Sequence, residues 1–396
     1  MTIEDLVAVF RRHLYLPDPG PLLVVVGTVV ANLLSGDPVW ALLVGPPASG
    51  KTELLNSLGQ LPFVHAASTF TEAGLLSGSV SRRPGATGGL LAELGAQGFI
   101  VCKDFTSVLA ESADTRSGLL AALREIFDGA WVRRLGVEGG RTLAWQGKAG
   151  LLGAVTETID RHADVMGAMG ERMVLYRMPL LDDEGRLDQA RVALRNTGHQ
   201  EAIRAELAEA VATFVTELAL PEAPEPVDEA GVEVLIRLAD LATRCRSVVE
   251  RDQRSREVEL VPQPEAAARL QSVLLQLTRG LWTIGVGDEE VQRLVVKVAL
   301  DGMTKARRAA VELMVTARPG VLWTTAQVAD AVGLPTPLAT RTLTDLAAHR
   351  IAERHSDGHR NRWGPSEWLT TRWKELRLDQ FTTSVEVAAV ETGDIA

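Results

Sequence analysis

The sequence predicts an α/β domain with a parallel sheet, followed by a helical region and a small C-terminal domain. Short apolar runs alternate with helical stretches, and a Gly-rich motif follows the first run. The runs lie at residues 39–44, 99–102, 151–155 and 173–176. Each has the length of a strand buried on both faces, and strands that alternate with helices are typical of parallel sheets. We expect the α/β domain to span residues 1–181.

The composition of this 396-residue chain is that of a globular protein, with 46% hydrophobic and 23% charged residues. No apolar run reaches the roughly 18 residues of a membrane helix, and the first residues lack the basic segment of a signal peptide. The two cysteines, Cys102 and Cys245, are too few for a disulfide framework or a zinc cluster. We therefore expect a cytoplasmic protein with no membrane partner.

Charge is distributed unevenly along the chain. The formal net charge is −10, which excludes a protein that coats nucleic acid with its whole surface. Residues 305–365, however, contain nine Lys or Arg and five Asp or Glu, a local charge of +4. Any contact with nucleic acid is therefore expected to use local basic elements.

The second half of the chain divides into three predicted parts. Residues 182–304 are mostly helical, with a Pro/Glu-rich linker at 221–226. Residues 305–368 read as a helix, a helix–turn–helix at 325–350, a strand, a polar tip and a return strand, which is the order of a winged helix. Residues 369–396 form a tail, which has no periodic pattern after Asp379.

The strongest local signal is the segment Gly45-Pro46-Pro47-Ala48-Ser49-Gly50-Lys51-Thr52, which fits G-x-x-x-x-G-K-[ST] between a strand and a helix. Glycines allow backbone N–H groups to surround phosphates, and the following helix adds its positive end. Lys51 suits the β- and γ-phosphates, and the Thr52 hydroxyl suits Mg²⁺. A chance Gly-rich turn or an inactive relic is the alternative. The predicted nucleotide-binding residues are Gly45, Pro46, Ala48, Ser49, Gly50, Lys51, Thr52 and Glu53.

A nucleotide-bound Mg²⁺ also needs a carboxylate at the end of a neighbouring strand. The run at 98–102 continues into Lys103-Asp104-Phe105, and no other run fits this requirement. Asp104 is therefore the predicted second Mg²⁺ ligand beside a bound nucleotide, which the resemblance described next implies is ATP.

The segments after Asp104 follow a recognisable order. A helix ends at Asp128-Gly129, β-prone arms at 131–135 and 141–145 surround a Gly-rich turn, and a strand ends at Val155-Thr156 before Arg172. Over residues 44–176 the chain resembles an AAA+ ATPase of the helix-2-insert and pre-sensor-1 hairpin clade, which contains the minichromosome maintenance helicases. The resemblance implies a P-loop NTPase core with a helical lid, ATP hydrolysis, a ring such as a hexamer, and helicase-like work on DNA.

The resemblance also implies roles for three further residues. Thr156 matches the sensor-1 position that aligns the attacking water, and Arg172 matches the arginine finger that reaches a neighbouring subunit. Arg269 is a weaker match to the sensor-2 arginine. The alternatives are a strand-end hydroxyl for Thr156, an ion pair with Glu171 or Asp164 for Arg172, and a solvated helix arginine for Arg269. The predicted catalytic residues are Lys51, Asp104, Thr156 and Arg172.

One departure from the family concerns the strand that ends near Asp104. The family ends it with adjacent Asp and Glu, whereas here Lys103-Asp104 or, with a shift of one residue, Asp104-Phe105 occupies these positions. Either alignment leaves one carboxylate, so hydrolysis is expected to be slow. We still expect an active ATPase because positioning and electrostatics supply most of phosphoryl-transfer catalysis. Glu125 is a possible substitute base, although a helix-surface position suits it better.

Two groups of arginines are predicted to contact DNA, since guanidinium groups match phosphate geometry. One group belongs to the hairpin and a nearby Gly/Ser-rich loop, and the other to the winged helix. Surface arginines near Glu138 and a protein-docking winged helix are the respective alternatives. The predicted nucleic-acid residues are Arg82, Arg83, Arg133, Arg134, Arg141, Arg341, Arg360 and Arg362.

Three functions fit these patterns. The first is an ATP-driven ring that moves or remodels DNA, for example in a mobile genetic element. The second is a nucleotide-switched assembly factor that binds DNA or a protein and turns over little ATP. The third is a transcriptional regulator on an AAA+ scaffold, which predicts sequence-specific duplex binding by residues 305–368 alone.

Overall fold

The computed structural model describes residues 1–68, 70–76, 89–135, 141–170, 172–223, 226–252, 254–255, 257–356 and 360–381. The chain forms two compact units. The first contains Met1–Asp228 and Arg269–Val298, and the second contains Glu229–Ala268 and Ala299–Ala396. Residues 182–304, which the sequence groups as one helical region, thus contribute to both units.

The elements alternate along the first unit and become mainly helical later. The strands are β1 Trp40–Val44, β2 Val64–Ala67, β3 Gln97–Cys102, β4 Ala130–Leu135, β5 Arg141–Gln146, β6 Lys148–Val155, β7 Met173–Arg177, β8 Glu250–Arg251, β9 Val258–Leu260, β10 Trp323–Thr324, β11 Ala352–Ser356 and β12 Asn361–Pro365. The helices are α1 Ile3–His13, α2 Gly20–Leu33, α3 Lys51–Asn56, α4 Glu72–Leu75, α5 Leu90–Leu94, α6 Phe105–Ala110, α7 Ala113–Phe127, α8 Ala163–Ala168, α9 Asp183–Arg195, α10 Gln200–Glu217, α11 Glu229–Arg246, α12 Ala268–Thr283, α13 Asp288–Asp301, α14 Lys305–Thr316, α15 Thr325–Ala331, α16 Thr336–Ala348 and α17 Glu367–Glu375. Two 3-10 helices cover Glu157–His162 and Leu378–Phe381.

The first unit is built on a parallel five-stranded sheet in the order β2-β3-β6-β1-β7. All four predicted strands belong to this sheet, and its fifth strand is the half-exposed β2. In the central pairing, Val44 of β1 lies opposite Val155 of β6 and Arg177 of β7. Because the strands are parallel, their carboxyl ends lie at one edge of the sheet, where the loops after β1, β3 and β6 follow.

Helix α2 lies in the core of this unit, and residues 20–32 are all buried. It packs closely on α12 at two glycines. A Cβ atom on Gly280 would lie 2.3 Å from the carbonyl oxygen of Gly27, so only glycine allows this approach. The Gln276 amide donates to the carbonyl oxygens of Ala31 (2.8 Å) and Ser35 (2.9 Å), which satisfies acceptors at the end of α2.

The hairpin predicted between the second and third apolar runs is present as the antiparallel pair β4–β5. Its register places Trp131 opposite Trp145. The Trp145 indole N–H donates to the Gly95 carbonyl at 2.7 Å, which fixes the base of the hairpin to the start of β3. The turn at 136–140 lies outside the described residues.

The second unit contains α14, β10, α15, α16, β11 and β12 in chain order, with the sheet order β10-β12-β11. Its interior holds a charged cluster. Asp345 of α16 is buried and accepts from the guanidinium groups of Arg251 and Arg307, the latter at 3.1 Å. Arg307 also donates to the carbonyl oxygens of Cys245 and Ser247, so the cluster joins α14, α16 and the end of α11.

None of the helices in the part of the chain that the structure describes is long and apolar enough to cross a membrane.

Candidate functional site

The Gly-rich motif forms the loop between β1 and α3 at the carboxyl edge of the sheet. The Gly45 N–H donates to the Val155 carbonyl at 3.2 Å, and the Met178 N–H donates to the Val44 carbonyl at 2.7 Å. These bonds attach the loop to β6 on one side and to the end of β7 on the other. Gly50 has φ +86° and Ala48 has φ +61°, so the loop turns back through the left-handed region that glycine favours.

The Lys51 side chain lies inside this loop. Its Nζ donates to the carbonyl oxygens of Gly45 (2.8 Å) and Pro46 (2.6 Å) and to Ser49 Oγ (3.0 Å). Burial lowers the pKa of Lys51, and the negative charge of Glu157 opposes that effect. The loop therefore surrounds a buried ammonium group whose present acceptors are neutral oxygens. Phosphate oxygens make stronger bonds to such a group than carbonyl oxygens do.

A cavity of about 560 Å³ adjoins the loop. It is lined by residues 13–18 between α1 and α2, by the loop at 46–50, and by the segment from the end of β7 into α9 and α10. Its volume is within the roughly 300 to 1,000 Å³ of sites for small molecules and cofactors. Its apolar lining includes Leu14, Leu16, Met178, Leu181, Val192 and Ile203.

An ion pair that sequence reasoning missed closes one side of the site. Arg204 of α10 donates to Glu53 of α3 through Nε at 2.9 Å and Nη2 at 2.6 Å. The hydrogen bond from Arg204 is the main reason that the pKa of Glu53 is lowered, and the charge of Lys103 contributes to the same shift. Glu53 thus ties the phosphate loop to α10. No local pattern indicates this contact, because the two residues are 151 positions apart.

The tip of β3 carries the predicted Mg²⁺ ligand. Lys103 and Asp104 are both exposed, and Asp104 Oδ1 accepts from the Thr106 N–H at 3.0 Å. Asp104 is therefore the N-cap of α6. The binding of Mg²⁺ by Asp104 stays a prediction, while its capping of α6 is a structural role that the contacts define.

The tip of β6 lies closer to the phosphate loop, because β6 is the direct neighbour of β1. The Thr156 N–H donates to Thr106 Oγ1 at 3.2 Å, and Thr156 Oγ1 lies 2.6 Å from Thr158 Oγ1. Glu157 follows at the start of a 3-10 helix and is half-buried. Thr156 thus follows the end of β6, and its sensor-1 role stays a prediction. Glu157 adds a carboxylate at the same strand tip, which the sequence analysis did not single out.

Arg172 is engaged within its own chain. Its guanidinium donates to Asp128 Oδ2 at 2.6 Å and Oδ1 at 3.2 Å, and to the Met169 carbonyl at 3.1 Å. It also lies 5.8 Å from the centre of the Phe127 ring. The partner is a carboxylate that the sequence alternatives did not include, while Glu171 lies outside the described residues.

Arg269 is not brought to the phosphate loop. It lies in the first turn of α12, and Gln276, two turns later, bonds to Ala31 and Ser35. That end of α2 leads into the start of β1, whereas the phosphate loop follows the end of β1. The start of α12 therefore lies toward the opposite edge of the sheet from the phosphate loop, and the sensor-2 role of Arg269 stays a prediction.

The predicted DNA-contacting arginines have different environments. Arg133 of β4 is half-buried and donates to the carbonyl oxygens of Leu76 (2.8 Å) and Glu72 (3.4 Å), so it holds the hairpin to α4. Arg134 is exposed on the same strand. The three predicted DNA-contacting arginines of the second unit, Arg341 of α16, Arg360 and Arg362, are all exposed. Arg82, Arg83 and the side chain of Arg141 lie outside the described residues.

Similarity of this chain to known proteins is found among solved structures and not among family models or curated proteins. No family model matches the chain, and no curated protein matches it. Among solved structures, it is similar to that of the Aeropyrum pernix Orc1 protein in complex with DNA, with 15% sequence identity and a TM-score of 0.28. The similarity covers 93% of this chain and 96% of the other.

Proposed function

We propose that this chain is an AAA+ protein that binds and hydrolyses ATP, assembles into a ring such as a hexamer, and acts on DNA. One observation carries the proposal: the ammonium group of Lys51 is buried inside a loop at the carboxyl edge of a parallel sheet. A cationic group enclosed by backbone in this way is suited to a polyphosphate.

The adjoining cavity supports a nucleotide as the ligand. In the proposed complex, the phosphates lie in the loop and bond to Lys51 in place of the Gly45 and Pro46 carbonyls. The base then occupies the apolar cavity between α1, α9 and α10. Arg204 on α10 contacts Glu53 beside the loop, so α10 is placed to respond to the occupied site.

The donor atoms around the loop suit Mg²⁺, which prefers hard oxygen ligands and one or two carboxylates beside substrate phosphates. The Thr52 hydroxyl is exposed next to Lys51, and Asp104 supplies a carboxylate at the tip of β3. We assign the metal to these two residues. Mg²⁺ would neutralise the charge that develops on the phosphate oxygens during transfer.

Self-association would supply Arg172 to a neighbouring subunit's ATP. Thr156 at the tip of β6 would align the attacking water within the same subunit. In the second unit, the order α14-β10-α15-α16-β11-β12 and the sheet β10-β12-β11 support a winged helix. We propose that α16 with Arg341 enters a groove of DNA and that Arg360 and Arg362 contact the backbone.

The single carboxylate at the tip of β3 favours a second candidate, a nucleotide-switched assembly factor or regulator with little ATP turnover. Measured ATPase activity that DNA stimulates would support the motor, whereas ATP binding with negligible phosphate release would support the switch. Mass measurement with and without a nonhydrolysable ATP analogue tests the ring in both cases.

Lys51→Ala tests the binding site itself. We expect the variant to lose ATP binding, measured by isothermal titration calorimetry, because it removes the one ammonium group inside the loop. Lys374→Ala, which removes an exposed lysine of the second unit, is the control and should bind normally. Unchanged affinity of Lys51→Ala would refute the phosphate-loop assignment.

A further inference from the structure

We propose that Glu157 supplies the carboxylate that polarises the attacking water during ATP hydrolysis. The inference rests on the proposed ATPase function and answers a question left open by the sequence of the β3 tip. Lys103-Asp104-Phe105 contains one carboxylate, whereas phosphoryl transfer of this kind needs one group for the metal and one to orient the water.

The position of Glu157 follows from the sheet. Val155, two residues earlier, lies opposite Val44, and its carbonyl oxygen accepts from the Gly45 N–H at 3.2 Å. The tip of β6 is thus bonded directly to the first residue of the phosphate loop. Neighbouring strands are about 4.8 Å apart, so the tip of β3 lies roughly twice as far from β1.

The bonds around the buried lysine relate Glu157 to the loop. Lys51 Nζ donates to the Gly45 carbonyl at 2.8 Å, and the Gly45 N–H donates to the Val155 carbonyl. Lys51 marks the place where the β- and γ-phosphates would bind. Glu157, half-buried and two residues after Val155, is therefore close to the proposed reaction centre.

The segment that carries Glu157 is held firmly on both sides. The preceding Thr156 N–H donates to Thr106 Oγ1 at 3.2 Å. After Glu157, Ile159 is buried and Asp160 pairs with Arg177 of β7 at 2.6 Å. A group that must hold a water molecule in line with phosphorus needs such a fixed mount.

Asp104 is less suited to this task. Its Oδ1 already caps α6 through the Thr106 N–H, and the adjacent Lys103 places a positive charge at the same tip. We therefore separate the two roles: Asp104 belongs with the metal and Glu157 with the water.

In the proposed step, the γ-phosphoryl group passes from ADP to water. The water oxygen forms a bond to the γ-phosphorus while the bond from that phosphorus to the β,γ-bridging oxygen breaks. The electron pair of the broken bond leaves with ADP. The proton of the water passes to the Glu157 carboxylate and then to the inorganic phosphate.

The test compares Glu157→Gln with Glu111→Gln, an exposed carboxylate after α6, in the full chain. ATP affinity is measured by calorimetry, and turnover by phosphate release. We expect Glu157→Gln to bind ATP with normal affinity and to lose about 100-fold or more in kcat, the usual contribution of general acid–base catalysis. Glu157→Asp should recover part of kcat, and Glu111→Gln should match the wild type.

The outcomes distinguish this inference from the proposed function. If the wild type hydrolyses ATP, Lys51→Ala does not, and Glu157→Gln retains its kcat, the inference is wrong while the ATPase stands. Loss of ATP binding by Glu157→Gln would also overturn it, because the carboxylate would then serve the loop and not the water. A wild type that binds ATP without turnover removes the ATPase and the inference together.

Discussion

The buried carboxylate of Asp345 is the most sensitive test of how the second unit is held together. Asp345 is 6% exposed and pairs with two guanidinium groups whose own side chains are 10% (Arg307) and 14% (Arg251) exposed. Asp345→Ala would remove the carboxylate that both guanidinium groups share. Removing one partner of a buried pair typically costs about 3 to 5 kcal/mol. Arg307 keeps its bonds to the Cys245 and Ser247 carbonyls, so we expect the lower end, about 3 kcal/mol.

The assay is urea denaturation followed by tryptophan fluorescence, since Trp363 and Trp373 are buried in this unit. With a urea dependence of about 2 kcal/mol per M, a loss of about 3 kcal/mol lowers the transition of the second unit by roughly 1.5 M. The control is Glu353→Ala, an exposed carboxylate 3.7 Å from His355, which should change stability by less than about 1 kcal/mol. Equal shifts for the two variants would refute the buried-cluster reasoning.

Three other measurements test separate parts of the structure. Burial lowers the pKa of His349, and the charges of Arg307 and Arg244 add to this effect, while the hydrogen bond to Val248 and the charge of Asp345 oppose it. Because the pKa is lower in the folded state, the unfolded chain binds the proton more tightly. The second unit should therefore lose stability as the pH falls below about 6.5. His349→Gln should flatten that pH dependence in urea titrations, and an unchanged profile would assign it to another group. Arg172→Ala should bind ATP but lose turnover, and mixing it with Lys51→Ala should restore some activity if the arginine acts between subunits. Asp128→Asn should keep turnover. If Asp128→Asn loses as much turnover as Arg172→Ala, the arginine has a purely structural role. Arg360→Ala with Arg362→Ala should weaken DNA binding and reduce the salt slope by about 2, whereas Arg195→Ala on α9 should not; binding independent of the first two would indicate a protein-docking unit.

Most of the parallel sheet could be predicted because strands that are buried on both faces consist of consecutive apolar residues. The exception, β2, reads Val64-His65-Ala66-Ala67 and lies half-exposed at the edge, so it has no such run. The short antiparallel pair β8–β9 is polar and likewise has no apolar run that would predict it. The return of α12 to the first unit depends on glycine contacts between Gly27 and Gly280, about 250 residues apart, which no local pattern encodes.

The site also contains a part that a local motif predicts and a part that depends on tertiary contacts. Lys51 and its loop could be predicted because the motif is local and each residue type has a direct chemical reason. Arg204 and Glu157 could not, since their roles depend on which elements meet at the edge of the sheet. The sensor-2 role of Arg269 stays a prediction, because a position along the chain does not tell at which end of the sheet a helix begins.

The ion pair between Arg172 and Asp128 bears directly on the proposed role of Arg172 between subunits. The Asp128 side chain is 50% exposed, but the Arg172 side chain is only 11% exposed and also contacts the Met169 carbonyl and the Phe127 ring, so the roughly 0 to 1 kcal/mol typical of fully exposed pairs does not apply to it. A role between subunits therefore requires a neighbouring γ-phosphate to replace Asp128 with charge-assisted bonds that are at least as strong. Asp128 lies two residues before the hairpin strand β4, which begins at Ala130. The pair therefore orients Arg172 within its own chain, and Asp128→Asn separates this structural contact from the proposed action of Arg172 on a neighbouring subunit.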